Sequence, residues 1–297
     1  MRMVEPERTK VGFIGLGVMG RSMASHIRAA GYELHVWSRR PESALPLAEK
    51  GAVCESSPAA LASATDVVIT MVGFPKDVED VYLSADGILA GVRPGMVLAD
   101  MTTSSPALAV RIAEETEKRG AFSLDAPVSG GDRGAREATL SIMVGGSEEA
   151  FAAMTPLFGV MGKNVLRQGG PGCGQHTKMA NQIAIASGMI GVCEALAYAK
   201  KSGLDQQRVL DSISGGAAGS WSLSNLAPRM LAGNFAPGFY VKHFIKDMRI
   251  AVDEARAMDQ DVPGLELALS LYERLAETGH TEEGTQALYR LFTGEAE

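Results

Sequence analysis

The chain has 297 residues, of which 46% are hydrophobic and 21% charged, with a formal net charge of −7. That length exceeds one typical domain and predicts two, each able to bury its own core. An acidic balance without a basic block argues against nucleic acid as a partner, and the lack of about 18 consecutive apolar residues argues against a membrane span. Met1 to Lys10 is polar and does not read as a signal peptide. Cys54, Cys173 and Cys193 have no metal-type spacing and read as reduced, buried or half-buried thiols, so a cytoplasmic protein without a metal site is expected.

The first elements form a strand–turn–helix–strand unit. Val11-Gly12-Phe13-Ile14 is an apolar strand, Gly15-Leu16-Gly17-Val18-Met19-Gly20 is a G-x-G-x-x-G turn, and Met19 to Ala30 has helical apolar spacing that Gly31 stops. Glu33 to Trp37 is the second strand. In such a unit the first glycine makes the tight turn, the second lets a pyrophosphate approach the backbone, and the third lets helix and strand pack closely. The helix N-terminus supplies free N–H groups and a favourable dipole for the anion. Residues 15–20 are therefore expected to bind a dinucleotide.

The end of the second strand discriminates between dinucleotides. An Asp or Glu there would hold a free ribose 2′-hydroxyl. The chain instead has Ser38-Arg39-Arg40 and no acid, and a guanidinium matches a phosphate bidentately. NADP is favoured, with NAD as the alternative; a solvated turn with two surface arginines is the plain alternative.

Further strands are expected over Asp66–Val72, Met96–Asp100, Phe122–Asp125 and Leu140–Val144. Met71 and Val72 end one of them and are candidate cofactor contacts. Ser57-Pro58, Ser105-Pro106 and Ser147-Glu148-Glu149 open the intervening helices. Such alternation predicts a doubly wound, mostly parallel sheet over residues 1–170. Asp125-Ala126-Pro127-Val128-Ser129-Gly130-Gly131 closes a strand, where ligand crevices lie, and Ser129 with the glycine N–H groups suits a carboxylate; a tight glycine turn is the alternative. Thr102-Thr103 offers hydroxyls after the Met96–Asp100 strand, or an ST-turn.

Gly169-Gly170-Pro171-Gly172 marks the boundary, and residues 171–297 read as an all-α domain. It opens with a helix from about Gln175 to Ser202, roughly 40 Å long, which is a buried spine or a dimer surface. Later helices start at Asp205, Ser220, about Lys242, Leu265 and Gly284. Lys178, Asn181 and Gln182 share one face of the spine, otherwise made of Ile185, Met189 and Val192. A lysine there either reaches water from a helix end or serves proton transfer in a cleft. Lys246-Asp247 opens a late helix, where an exposed ion pair is the default. Trp221 and Phe239 are core residues or walls for a substrate side chain.

In this order, the glycine turn, Thr103, Asp125 to Gly131, Lys178-x-x-Asn181 and Lys246-Asp247 resemble the β-hydroxyacid dehydrogenase family, from Lys10 to about Leu291. Its members include 3-hydroxyisobutyrate dehydrogenases and 2-hydroxy-3-oxopropionate reductases. The resemblance implies a Rossmann domain, a helical domain and an active site between them. It places the catalytic lysine on Lys178, substrate binding on Ser129, Gly130 and Gly131, and cofactor contacts on Thr103 and Lys246. Many members have two asparagines where this chain has Asn181-Gln182, so Asn181 takes the substrate-orienting amide with Gln182 as a second. The expected activity is hydride transfer between the nicotinamide and a small 3-hydroxy acid or semialdehyde, in a homodimer or homotetramer built through the helical domain. An imine reductase and a non-catalytic nucleotide-binding module are the alternatives. An ordinary lysine titrates near pH 10.4, which makes reduction the easier direction for a lysine acid.

Overall fold

The computed structural model describes residues 3–295. The backbone forms two compact units, with Lys178 the last residue of the first and Met179 the first of the second. In the first unit the strands are β1 (Lys10–Ile14), β2 (Glu33–Trp37), β3 (Val53–Cys54), β4 (Val67–Thr70), β5 (Val97–Asp100), β6 (Phe122–Asp125), β7 (Val128–Ser129), β8 (Leu140–Gly145) and β9 (Gly162–Gly169). They form one sheet in the order β3-β2-β1-β4-β5-β6-β8-β7, with β9 beside β8. Pairing is parallel from β3 to β6 and between β8 and β9; β8 runs antiparallel to β6 and β7.

Every residue of β4 and β5 is buried, which explains why their sequences are apolar runs up to the final Thr70 and Asp100 rather than alternating. Alternate side chains enter different cores: Phe13, Ile69 and Ala99 pack on one face, and Ile14, Val68 and Leu98 on the other. The helices are α1 (Val18–Ala29), α2 (Leu45–Ala48), α3 (Pro58–Ala64), α4 (Pro75–Leu83), α5 (Ile88–Gly91), α6 (Pro106–Glu117), α7 (Gly131–Arg136) and α8 (Glu148–Gly159). Ser57, Ser105 and Ser147 accept the N–H groups of Ala60, Leu108 and Ala150, as helix-capping serines do.

Strand β9 has no counterpart in the sequence reading. It lies on the far side of β8 and exposes Lys163, Asn164, Arg167 and Gln168, so it carries neither an apolar run nor an alternation. Cys54 also departs from expectation: it is exposed on the two-residue edge strand β3, whereas Cys173 is half-buried and Cys193 buried.

Helix α9 (Cys173–Lys201) continues from the first unit into the second. The second unit adds α10 (Gln206–Ser214), α11 (Trp221–Asn225), α12 (Ala227–Leu231), α13 (Val241–Ala257), α14 (Pro263–Glu277) and α15 (Tyr289–Thr293). Met189, Cys193 and Leu196 of α9 join Phe244 and Met248 of α13 and Tyr272 of α14 in its core. The Tyr272 ring meets Phe244 edge-on at 5.0 Å and its hydroxyl donates to the Thr285 carbonyl at 2.7 Å.

By length and composition α9 could cross a membrane, with a mean hydropathy of 1.4 over its most apolar window. The helix nevertheless holds no run of about 18 consecutive apolar residues, because Ser187, Gly188 and Gly191 interrupt it. Core helices pass the same test, and the buried side of α9 is core here.

Close packing of α1 on β1 depends on Gly20. A Cβ there would meet the Gly15 carbonyl oxygen and lie 3.2 Å from the Phe13 ring. The carbonyl belongs to a fixed turn, so Gly20→Ala is expected to destabilise the protein by about 3 kcal/mol, at the upper end for an overpacked site. The thermal midpoint should fall by roughly 6–12 °C; an unchanged melt would show that the turn can give way.

Candidate active site

The glycine turn has the shape of a phosphate cradle. Gly15 adopts φ +95°, and a side chain there would strike the Met71 carbonyl and approach Val72. Met71 and Val72 thus pack directly on the turn. Gly17 precedes the first residue of α1 without a side-chain cap, and a Cβ on it would meet nothing within 4 Å. Uncapped N–H groups facing open space fit a dinucleotide pyrophosphate. Leu16 is buried, Met19 half-buried and Val18 exposed.

At the end of β2, Ser38 is half-buried while Arg39 and Arg40 are exposed. The Arg40 N–H donates to Ser38 Oγ at 3.4 Å. Arg39 does meet an acid, which corrects the reading of this corner: its Nη1 lies 2.9 Å from Asp77 Oδ1. Asp77 arrives on α4, 38 residues further along, and its other oxygen accepts the Phe74 N–H at 3.1 Å. The remaining guanidinium edge of Arg39 makes no hydrogen bond to the described residues.

The C-terminal ends of β5 and β6 place two carboxylates side by side, Asp100 pairing in register with Asp125. Asp100 Oδ1 accepts from Thr70 Oγ1 at 2.7 Å and from the Thr102 N–H at 3.1 Å. Asp125 accepts the Gly172 N–H on Oδ1 and the Gln175 N–H on Oδ2, both at 2.8 Å. Burial pushes Asp100 up to about 6, against its hydrogen bonds and assisted by the Asp125 charge. Burial likewise pushes Asp125 up to about 6, against four backbone hydrogen bonds. Thr103 is half-buried in the loop beyond β5.

Ser129 ends β7, half-buried, opposite Ser141 of β8. Gly130 and Gly131 take φ +130° and +61°, conformations that favour glycine. Their N–H groups follow the Ser129 hydroxyl, which makes no hydrogen bond to the described residues. Lys178, one turn beyond Gln175 on α9, is buried at 6% exposure.

In the second unit, Asn181, Gln182, Asp247 and Lys246 form a chain of contacts. Asn181 Nδ2 donates to Gln182 Oε1 at 2.7 Å, Gln182 Nε2 donates to Asp247 Oδ2 at 2.6 Å, and Lys246 Nζ lies 2.7 Å from Asp247 Oδ1. Two expectations change. Lys246 and Asp247 form a buried pair, with side-chain exposures of 13% and 1%, because this turn of α13 faces the core. Gln182 is fully enclosed with both ends of its amide engaged, whereas Asn181 is half-buried and its amide oxygen has no hydrogen-bond partner among the described residues. Trp221 is 55% exposed and not core, whereas Phe239 packs on Phe244 at 5.4 Å. No cluster of three metal-ligating side chains occurs among the described residues.

The sequence reading did not single out Asp77, Asp100 or Gln175. The signal for Asp100 was an apolar strand ending in a carboxylate; Asp77 gave none that spacing could reveal.

Comparison with known proteins accounts for nearly the whole chain. Residues 10–170 match the NAD binding domain of 6-phosphogluconate dehydrogenase, and residues 172–292 match the NAD-binding domain of NADP-dependent 3-hydroxyisobutyrate dehydrogenase. An uncharacterised oxidoreductase of Bacillus subtilis is 58% identical, over 95% of this chain and 98% of its own. The 2-hydroxy-3-oxopropionate reductase of Escherichia coli is 39% identical, over 94% and 95%. The chain belongs to the β-hydroxyacid dehydrogenase family. A solved relative, Psf3 in complex with NADP+ and 2-OPP, superimposes with a TM-score of 0.88 at 28% identity, over 95% of this chain and 99% of its own. Solved imine reductases, at 17–24% identity, share the fold alone.

The carboxylate pair makes stability depend on pH. Both groups bind protons more tightly folded than unfolded, so the stability they confer is complete below about pH 4 and is lost as pH rises through about 6. Asp100→Asn keeps an acceptor for Thr70 and Thr102 without the charge. Its stability relative to wild type should therefore improve from pH 4 to pH 7, by up to about 3 kcal/mol. Thermal melts across that range test this; a pH-independent difference would contradict it.

Proposed function

We propose that this family member interconverts a small 3-hydroxy acid and its semialdehyde with NADP(H), using Lys178 as the acid and base. The observation that carries the reading is Lys178 itself: a buried lysine on α9, six residues after the family's Gly172 boundary and three before Asn181. Burial of a charged group with no reactive role is costly, which favours a functional lysine over a surface one.

Ser129 and the Gly130 and Gly131 amides receive the substrate carboxylate, and Asn181 orients the reacting oxygen. When bound, the cofactor supplies or takes up the hydride at the neighbouring carbon. During reduction Lys178 gives a proton to the carbonyl oxygen and its charge stabilises that oxygen as it becomes an alkoxide; during oxidation it takes the proton back. The resemblance to the family assigns cofactor contacts to Thr103 and to Lys246, whose Nζ is ion-paired with Asp247.

The preference for NADP over NAD rests on Ser38, Arg39 and Arg40 at the end of β2. Asp77 holds one nitrogen of Arg39, which leaves the opposite edge of the guanidinium for a 2′-phosphate. The NADP-dependent description of the matched C-terminal domain and the NADP+ bound by Psf3 support the same choice.

Arg39→Asp is expected to weaken NADP binding by about 2 kcal/mol, or roughly thirtyfold, and to shift preference toward NAD. Cofactor titration reads this directly; unchanged NADP affinity would remove Arg39 from the phosphate site.

Lys178→Ala should bind NADPH normally and lose about 10²–10⁴-fold in turnover, the range for a positioned acid or base. Single-turnover reduction of 2-hydroxy-3-oxopropionate at saturating cofactor is the measurement, with a thermal melt to establish folding. A folded variant with near-normal hydride transfer would overturn the mechanism.

A further inference from the structure

Gln175 is fully buried in the first turn of α9, and its amide straddles Thr103. Nε2 donates to the Thr102 carbonyl at 2.7 Å, and Oε1 accepts the Ser104 N–H at 2.9 Å. The peptide groups before and after Thr103 are thus held by the two ends of one side chain. The backbone N–H of Gln175 is itself bound to Asp125. Thr102 is fixed from the other side, its hydroxyl accepting the Val72 N–H at 2.9 Å and its N–H bonding to Asp100. Every one of these residues lies in the first unit, as does Lys178 one turn further along the helix.

Filling the same space needs only an apolar side chain, and a buried amide is costly wherever a partner is missing. Here both amide ends are paired, and both partners are backbone groups of one loop. Such a clamp fixes the helix against the loop in height and rotation together.

We propose that Gln175 is a positioning residue for the reaction: by clamping the peptides on either side of Thr103, it holds the turn that carries Lys178 at a constant distance from the cofactor loop. The proposal rests on the roles assigned above to Lys178 and Thr103. A shift of about 1 Å in a reacting group can cost about a hundredfold in rate, so the effect should fall on turnover.

The test is Gln175→Met, which keeps the volume and removes both hydrogen bonds, assayed with NADPH and 2-hydroxy-3-oxopropionate. Turnover should fall roughly 10- to 100-fold. The KM for the semialdehyde and the Kd for NADPH should each change less than about threefold, since binding groups remain in place. Adding Gln175→Met to Lys178→Ala should slow that variant by less than about threefold, because residues acting through one group are not additive. Gln175→Glu keeps the Ser104 acceptor but sets an oxygen against the Thr102 carbonyl; it should fall in the same direction, and it carries the test if the methionine variant does not fold. A folded Gln175→Met with wild-type turnover would overturn the positioning role alone, as would an equal loss in the Lys178→Ala background. Absence of turnover in the wild-type protein, across short semialdehydes and both cofactors, would overturn the functional reading and the clamp with it.

Discussion

The first unit depends on one buried carboxylate. Asp125 sits at the end of β6 and takes two N–H groups from the start of α9, at Gly172 and Gln175. These are amides that no earlier turn of the helix can satisfy, and an anion at a helix N-terminus also meets the dipole favourably. The fit is close: a Cβ on Gly145 or Gly174 would run into the carboxylate, so glycine is required on both sides of it. The same strand end leads within four residues to Ser129, and the same helix leads within six residues of Gly172 to Lys178. One side chain therefore ties the strand end that leads to Ser129 to the helix that carries Lys178.

The cost of this arrangement is visible in the neighbouring strand. Asp100 lies directly beside Asp125, and each carboxyl is pushed up to about 6 by burial. Two acids in register at the end of a parallel sheet lower stability at neutral pH. Their hydrogen bonds offset part of that cost and serve a second purpose, since Asp100 organises Thr102 and through it the loop that carries Thr103. Conflict between local stability and arrangement of this kind is expected where a site is built.

Much of this was legible in the sequence. The glycine turn, strand β2 and the spine helix were placed within one or two residues, because each combines a strong periodicity with a stop signal such as Gly31. The two buried strands β4 and β5 were legible for a different reason, as unbroken apolar runs of strand length. Strand β9 was not, since a polar edge strand has no pattern of its own. Side-chain partners were the least accessible: Asp77 reaches Arg39 from another element, and the sequence around Ser38 gave no hint of an acid there. The burial of Lys246 and Asp247 was also hidden, because a Lys-Asp dipeptide at a helix start reads as a solvated pair until the face it occupies is known.

The Asn181-Gln182 pair shows how a departure from the common family pattern can be structural. Gln182 is fully buried, and its Nε2 reaches the Asp247 carboxylate while its Oε1 receives Asn181. Asparagine is one methylene shorter, so on the same helix its amide would stop short of Asp247 by about 1.5 Å unless the backbone shifted. An Asp247 carboxylate left with Lys246 alone would be a buried acid short of one donor. Glutamine closes that gap, with both ends of its amide taken by Asn181 and Asp247. Of the two amides, Asn181 alone then retains an oxygen without a hydrogen-bond partner among the described residues, and that oxygen can accept but not donate.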